Sequence, residues 1–293
     1  MAIQRSKGYS MFKAFNFIFM LIVVFVTLFP FLYMFAMSFS SNTAILQGKV
    51  FFLPVEFTIK PYLRILEQKD FWTGYRNTVL YTVTGTAVGL FMTTICAYPL
   101  SKKRLLGRGL LLKLIVFTMY FGGGLIPTYL LVNSLHMTDK IWALIIPGAI
   151  SPYNMLIMKT FFEGIPQSLE EAAAIDGLNE LGILIKIVMP LSKPILATIS
   201  LFVAVWFWND WFYPLIYINN NIRYPVTLFL RNVIMGSQMA AKNGQVMDSG
   251  ASVVMPQSLQ AATVMLVTIP ILLVYPFIQK YFVQGMMIGS IKE

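Results

Sequence analysis

The chain has 293 residues, 57% of them hydrophobic and 12% charged, with a net charge of +10 and a mean hydropathy of +0.71. Soluble domains carry about 25% charged residues, so this composition excludes an ordinary soluble enzyme or binding domain. The basic residues do not gather on one soluble module, which argues against a nucleic-acid-binding protein.

Taken in chain order, six apolar stretches predict an all-α polytopic membrane protein. About 20 apolar residues cross roughly 30 Å of hydrocarbon. The expected spans are 15–38, 78–98, 110–132, 141–161, 194–218 and 261–281, in one domain at 14–293 behind a tail at 1–13. The first stretch is longer than a signal-peptide core and ends in no small-residue cleavage site, so a retained helix is expected. A long loop follows, with FFLPVEFTIKPYLRILEQKDFWTGYR and a short helix expected near 61–67. The second span contains Cys96, the only cysteine, which reads as a small packing residue.

The loop SKKRLLGRG then supplies Lys102, Lys103, Arg104 and Arg108, and the N-terminal tail supplies Arg5, Lys7 and Lys13. The short loop VNSLHMTDK has only Lys140 as a basic side chain, and its His136 reads as solvated. This asymmetry predicts cytoplasmic termini and cytoplasmic loops after spans two and four. FGGGLIP, 121–127, interrupts the third span, either as a hinge or as a site of close helix packing. The fourth span is short and reaches full length only if Lys159 snorkels.

Between spans four and five, at 162–192, lies a polar segment containing IPQSLEEAAAIDGLNELGILIKIVMPLS. Ser168 and Glu171 have capping-box spacing. Glu170 and Glu171 suit the positive end of a helix dipole. Ala172, Ala173 and Ala174 favour helix, and Gly177 can end it in a left-handed conformation. Asn179 can cap a second helix running to Met189, with Pro190 as its stop. Local chemistry leaves two readings of this helix-turn-helix: a well-capped surface loop, or a slim helix that enters a groove on another protein.

Span five ends in WFWNDWFY, 206–213. Counting from Pro194 at 1.5 Å per residue places Asp210 roughly 24 Å along a continuous helix. Trp206, Asn209 and Asp210 then either line a sugar pathway or form an interfacial aromatic belt with Asp210 hydrogen-bonded to a neighbouring helix. The loop 219–260 has an ordered-looking half, NNNIRYPVTLFLRN, and a Gly-, Ser- and Asn-rich half, SQMAAKNGQVMDSGAS, that reads as flexible. Its Arg223, Arg231 and Lys242 either guide an anionic substrate or serve protein contact and solvation. A secondary transporter would need ion-coupling residues at mid-membrane, and a membrane enzyme would need clustered acids or histidines. The sequence offers little of either beyond Asp210.

The spacing of the polar segment adds a resemblance. Glu171-Ala172-Ala173, three residues, Gly177, nine residues, then Ile187-Val188-Met189-Pro190 resembles the EAA pattern of ABC importer permeases, with Met189 in place of the usual leucine. The rest of the chain resembles the carbohydrate branch, near the second permease of maltose-type importers, through WFWND, NNNIRYPVTL, PYLRIL and the ending QKYFVQGMMIGSIKE. Within that branch it is similar to importers of large or acidic oligosaccharides such as alginate.

The resemblance implies a six-helix type I importer permease fold with a cytoplasmic EAA coupling helix. It implies a heterodimer with a second permease, two copies of a cytoplasmic ATPase and an extracytoplasmic binding protein that delivers an oligosaccharide. It places coupling to the ATPase on Glu170, Glu171, Ala172, Ala173, Asp176 and Gly177. Contact with the binding protein falls on Asn219, Asn220, Asn221, Arg223 and Tyr224. The chain has no phosphate-binding loop of the G-x-x-x-x-G-K-[ST] type, so ATP binding is expected on a partner, and its one histidine and one cysteine are too few for most metal sites; no catalytic residue, metal or cofactor is expected on it. ATP and Mg would sit on the partner ATPase, in a bacterial inner membrane.

Overall fold

A computed structural model describes residues 7–242 and 256–288. Its described residues are helical, without strands, in this order: α1 Lys7–Ser38, α2 Asn42–Leu46, α3 Lys60–Leu66, α4 Lys69–Ser101, α5 Arg108–Tyr120, α6 Leu125–Ser134, α7 Ile141–Ile145 and α8 Pro152–Glu163. After these come α9 Gln167–Ile175, α10 Glu180–Ile183, a π-helical turn Leu184–Val188, and α11 Met189–Leu191. The remaining helices are α12 Lys193–Asn209, α13 Phe212–Tyr217, α14 Val226–Lys242 and α15 Pro256–Ile288. The chain divides into two compact units, Met1–Lys69 with Leu230–Thr268, and Asp70–Phe229 with Ile269–Glu293.

Among the described residues, three helices are long and apolar enough to cross a membrane: Met11–Ser38, Lys69–Ser101 and Pro256–Pro276. They contain most of expected spans one, two and six. In α1 every side chain from Met11 to Leu32 is exposed, a surface suited to hydrocarbon and not to water. The other expected spans are not straight rods. α5 and α6 meet at a 112° bend over 121–124, where FGGG breaks the helix as the sequence anticipates.

Two expected continuous helices are corrected by the structure. Span four, 141–161, is α7 and α8 separated by 146–151. Pro152 forces Ser151 into extended backbone (φ −86°, ψ 119°), and the Ser151 hydroxyl then accepts a bond from the Asn154 amide to start α8. Span five, 194–218, is interrupted between α12 and α13. Pro214 has no N–H for the carbonyl of Asp210, and its ring would collide with that carbonyl in a continuous helix. Asp210 instead turns extended (φ −71°, ψ 118°), and its carbonyl accepts from Thr227 Oγ1 at 2.7 Å.

The first unit builds the expected helix near 61–67 as α3, with Pro61 in its first turn. Phe39 stacks on Phe57 and Tyr62, and Ser38 Oγ shares a 2.8 Å hydrogen bond with Tyr62 Oη. The expectation of a flexible half-loop after 236 is corrected up to Lys242, where the helix formers of SQMAAK prolong α14. Its remainder, 243–255, lies outside the described residues, as do Arg5, the end of the chain at 289–293 and the side chain of Lys242.

The second unit has two apolar clusters at opposite ends of α4. One gathers Tyr81, Val132, Ala143, Leu144, Tyr217 and Ile218. The other centres on Ala97, Tyr98, Met158, Phe162, Ala173, Val188 and Ile199. Sixteen residues of α4 separate Tyr81 from Ala97, about 24 Å of helix. Between them α4 and α12 approach closely: a Cβ on Gly85 would lie 2.4 Å from the Phe207 ring, so any larger residue would have to displace that buried ring. The two clusters hold the two functional regions.

Candidate functional site

The polar segment forms a tightly finished helix-turn-helix. α9 starts two residues earlier than its sequence suggests. Pro166 (φ −56°, ψ 124°) is the N-cap, so Ser168 falls inside the first turn and the expected capping box does not form. Gln167 Nε2 donates to Glu171 Oε1 at 2.7 Å instead. At the other end the Gly177 amide bonds to the Ala174 carbonyl and the Leu178 amide to the Ala173 carbonyl, both at 3.0 Å. This crossed pair is a Schellman motif, and Gly177 has the left-handed φ of +84° that it demands. Asn179 Oδ1 then accepts from the Gly182 amide at 2.8 Å and starts α10. Pro190 does not stop the second helix. The π turn Leu184–Val188 widens the backbone just before it, and the chain runs on to Leu191.

The faces of α9 differ. Ala173 is buried in the apolar cluster that also contains Tyr98. Ser168, Glu171, Ala172 and Ile175, at helical spacings of three and four, are exposed, and Ile175 is 87% exposed. Asp176 and Gly177 are exposed too. Glu170 is not: it is 8% exposed and faces Lys102 from the loop after α4. Two further acids flanking α9 face the same basic loop, with Glu163 paired to Arg108 and Glu180 to Arg104. Lys159 also reaches Glu163, at 2.9 Å. Sequence reasoning treated these basic residues only as orientation signals.

At the opposite end of α4, the sequence-predicted residues have backbone roles. Asp210 Oδ1 accepts from the amides of Phe212 (3.1 Å) and Tyr213 (3.2 Å), so its carboxylate caps α13. Asn209 is exposed and donates to the Val205 carbonyl at 2.9 Å. Trp206, 42% exposed, packs against Phe207 and Tyr213. The two residues beside Asp210 therefore keep exposed surface, while Asp210 is committed to the turn.

The loop 219–224 is stapled down. Asp139, itself in a left-handed conformation (φ 58°), accepts from the amides of Asn219 (2.7 Å) and Asn220 (2.9 Å) through Oδ1. Those bonds, from Asn220 first and Asn219 second, hold its carboxyl below the usual carboxylate range. Arg223 donates to the Asp139 carbonyl. Asn77 in α4, nearly buried, donates to the carbonyls of Ile222 (2.7 Å) and Tyr224 (3.1 Å), and Tyr81 Oη donates to that of Arg223 (2.8 Å). Asn219, Asn220, Asn221 and Arg223 remain exposed on this fixed loop, with Tyr224 half-buried. Asp139, Asn77 and Tyr81 were missed in the sequence. The polar Asn77-Thr78 pair inside an apolar helix was the visible signal.

Comparisons with known proteins place the chain in a family. No family model matches the chain. It is 44% identical to Protein LplC of Bacillus subtilis over 289 residues, 99% of this chain and 97% of LplC. It is 42% identical to the polygalacturonan/rhamnogalacturonan transport system permease protein YtcP of the same organism, covering 94% of this chain and 96% of YtcP. A crystal structure of a bacterial ABC transporter involved in the import of the acidic polysaccharide alginate contains a chain that superposes with a TM-score of 0.85 at 36% identity, over 94% of this chain and 98% of that one. This all-α, multi-pass membrane chain belongs to the family of sugar ABC transporter permeases.

Proposed function

We propose that this chain is one permease subunit of an ATP-driven importer and forms half of the pathway for an oligosaccharide. The carrying observation is α9, whose exposed face (Ser168, Glu171, Ala172, Ile175) is slim and ends in one projecting isoleucine before the Gly177 turn. A helix presenting small residues and one apolar knob at these spacings fits a groove on another protein. We assign that groove to a cytoplasmic ATPase, present in two copies, which carries ATP and Mg. Glu171, Ala172, Asp176 and Gly177 face it, while Glu170 and Ala173 hold the helix from behind. No cofactor is assigned to this chain, and both termini are placed in the cytoplasm, with the protein in the plasma membrane.

A second permease completes the pathway, and the stapled loop 219–224 meets an extracytoplasmic binding protein. Trp206 and Asn209 are the pathway candidates that retain exposed surface. The named substrates of relatives support an acidic oligosaccharide, since a polygalacturonan/rhamnogalacturonan system and an alginate importer are both similar to this chain.

The test is reconstitution of the four-component importer in vesicles, with uptake of oligogalacturonate and of a neutral malto-oligosaccharide as probes. ATP-dependent uptake of the acidic sugar is expected. Ile175→Asp should weaken ATPase docking by about tenfold or more, because burying an isoleucine contributes about 1.5–3 kcal/mol and a buried carboxylate is opposed. Uptake that needs no ATPase would overturn the proposal, and so would unchanged docking of the Ile175→Asp variant.

A further inference from the structure

Three acids surround the turn-forming segment, and each meets a different cation of one short loop. Glu163 lies before α9, Glu170 within it and Glu180 after Gly177. Their partners Arg108, Lys102 and Arg104 all belong to SKKRLLGR, directly after α4. The three pairs differ in depth. Arg104 and Glu180 are 66% and 60% exposed at their side chains, where an ion pair contributes little. Lys102 and Glu170 are 14% and 11% exposed. A pair at that depth is held strongly in place, since removing either partner leaves an uncompensated charge away from water.

The neighbours of this pair make it a junction. The Lys102 ammonium also lies over the Tyr98 ring, 4.4 Å from its centroid. Tyr98 Oη donates to Glu180 at 3.3 Å across the turn. Ala173, three residues after Glu170 and so on the same side of α9, packs in the cluster that holds Ala97, Tyr98 and Leu100 of α4. The ion pair thus ties one face of α9 to the end of α4, and both helices contribute to one apolar cluster, while the opposite face of α9 stays exposed.

We propose that Lys102 and Glu170 are positioning residues that fasten α9 to α4, so that displacement received on the exposed face of α9 is carried into the long helix α4. This rests on the reading of α9 as the ATPase-docking helix. Lys102 acts through Glu170, with which it is paired. With the pair broken, α9 can still dock, and its movement is absorbed at the loosened junction without reaching α4.

The experiment uses the complete importer in vesicles and measures three quantities: ATPase co-purified with the permeases, ATP hydrolysed with binding protein present, and sugar taken up. Lys102→Met and Glu170→Gln should each raise the ATP spent per sugar by ~10-fold while the ATPase still co-purifies. The exchanged pair, Lys102→Glu with Glu170→Lys, should return the ratio to within ~3-fold of the parent, and Lys102→Arg should leave it unchanged. A structural role alone would lower assembly and leave the ratio intact, so an unchanged ratio in either single variant overturns the proposal. An exchanged pair as defective as the singles also overturns it. Gly177→Pro separates the two layers. If it uncouples transport and the Lys102 variants do not, only the fastening role falls; if it changes nothing, the docking reading itself falls.

Discussion

Gly177 offers a graded test, because its constraints can be separated on the structure. Its φ is +84°, its amide donates to the Ala174 carbonyl at 3.0 Å, and a Cβ built on it meets nothing within 4 Å. Alanine therefore brings no clash within the chain, only the cost of the left-handed conformation, about 1–2 kcal/mol. Asparagine tolerates that conformation and should cost less. Proline fixes φ near −65° and removes the donated bond, so the Schellman turn cannot form and the cost reaches about 3 kcal/mol or more. The predicted order of damage is Asn below Ala below Pro. The assay is binding-protein-stimulated ATP hydrolysis and uptake in vesicles, alongside the thermal midpoint of the detergent-purified importer. Gly177→Pro should abolish uptake with membrane insertion intact, and Gly177→Asn should keep most of both activities. Equal damage from Asn and Pro would refute the backbone argument, because the glycine would then be required by something pressing on its bare Cα.

Two further outcomes follow from the opposite end of α4. Asp210 uses one carboxylate oxygen for two amides, and an amide oxygen can replace it; Asp210→Asn should retain uptake, whereas Asp210→Ala should lose about 0.5–2 kcal/mol of stability, read as a lowered thermal midpoint. Loss of uptake in Asp210→Asn without loss of stability would return Asp210 to the substrate pathway. For Asp139 the folded carboxyl titrates below its usual range because the Asn220 and Asn219 amides bond its charged form. Its contribution is therefore complete above the ordinary carboxylate pKa of about 3.9 and is lost as pH falls below that through the depressed value. Protection factors of the Asn219 and Asn220 amides, corrected for the intrinsic pH dependence of exchange, should fall only in that acid window in the parent chain, and already at neutral pH in Asp139→Ala. Identical exchange in parent and variant at neutral pH would remove Asp139 as the staple.

The parts of this molecule that were legible in the sequence are those whose cause is local. The FGGG break, the left-handed Gly177 and the Asn179 cap depend on residues within one or two turns. Pro152 and Pro214 were equally local, yet the expected spans ran through them. A hydropathy count weighs side chains and ignores the backbone bonds that proline removes. Ser168 matched a capping spacing, but Pro166 had already fixed where α9 begins. The remaining features needed the fold, since Lys102 and Glu170 are 68 residues apart and Asp139 and Asn219 are 80 apart. Charge counting assigned Lys102, Arg104 and Arg108 to membrane orientation, and the structure pairs them with Glu170, Glu180 and Glu163.

That distinction changes which residues deserve the functional roles. Asp210, Arg223 and Glu170 stood out in the sequence as charges, and the structure commits each of them to this chain: Asp210 to the amides of α13, Arg223 to the Asp139 carbonyl and Glu170 to Lys102. A charged side chain near a membrane is costly to leave without a partner, so it is satisfied internally before it can serve a ligand. On our proposal the surface left over for a second protein, on α9, combines Ala172 and Ile175, which ask for nothing, with the exposed Glu171 and Asp176. The apolar part of such a face gains free energy by losing water. The internal ion pair behind it, Lys102 with Glu170, keeps the helix in place whether or not that face is covered.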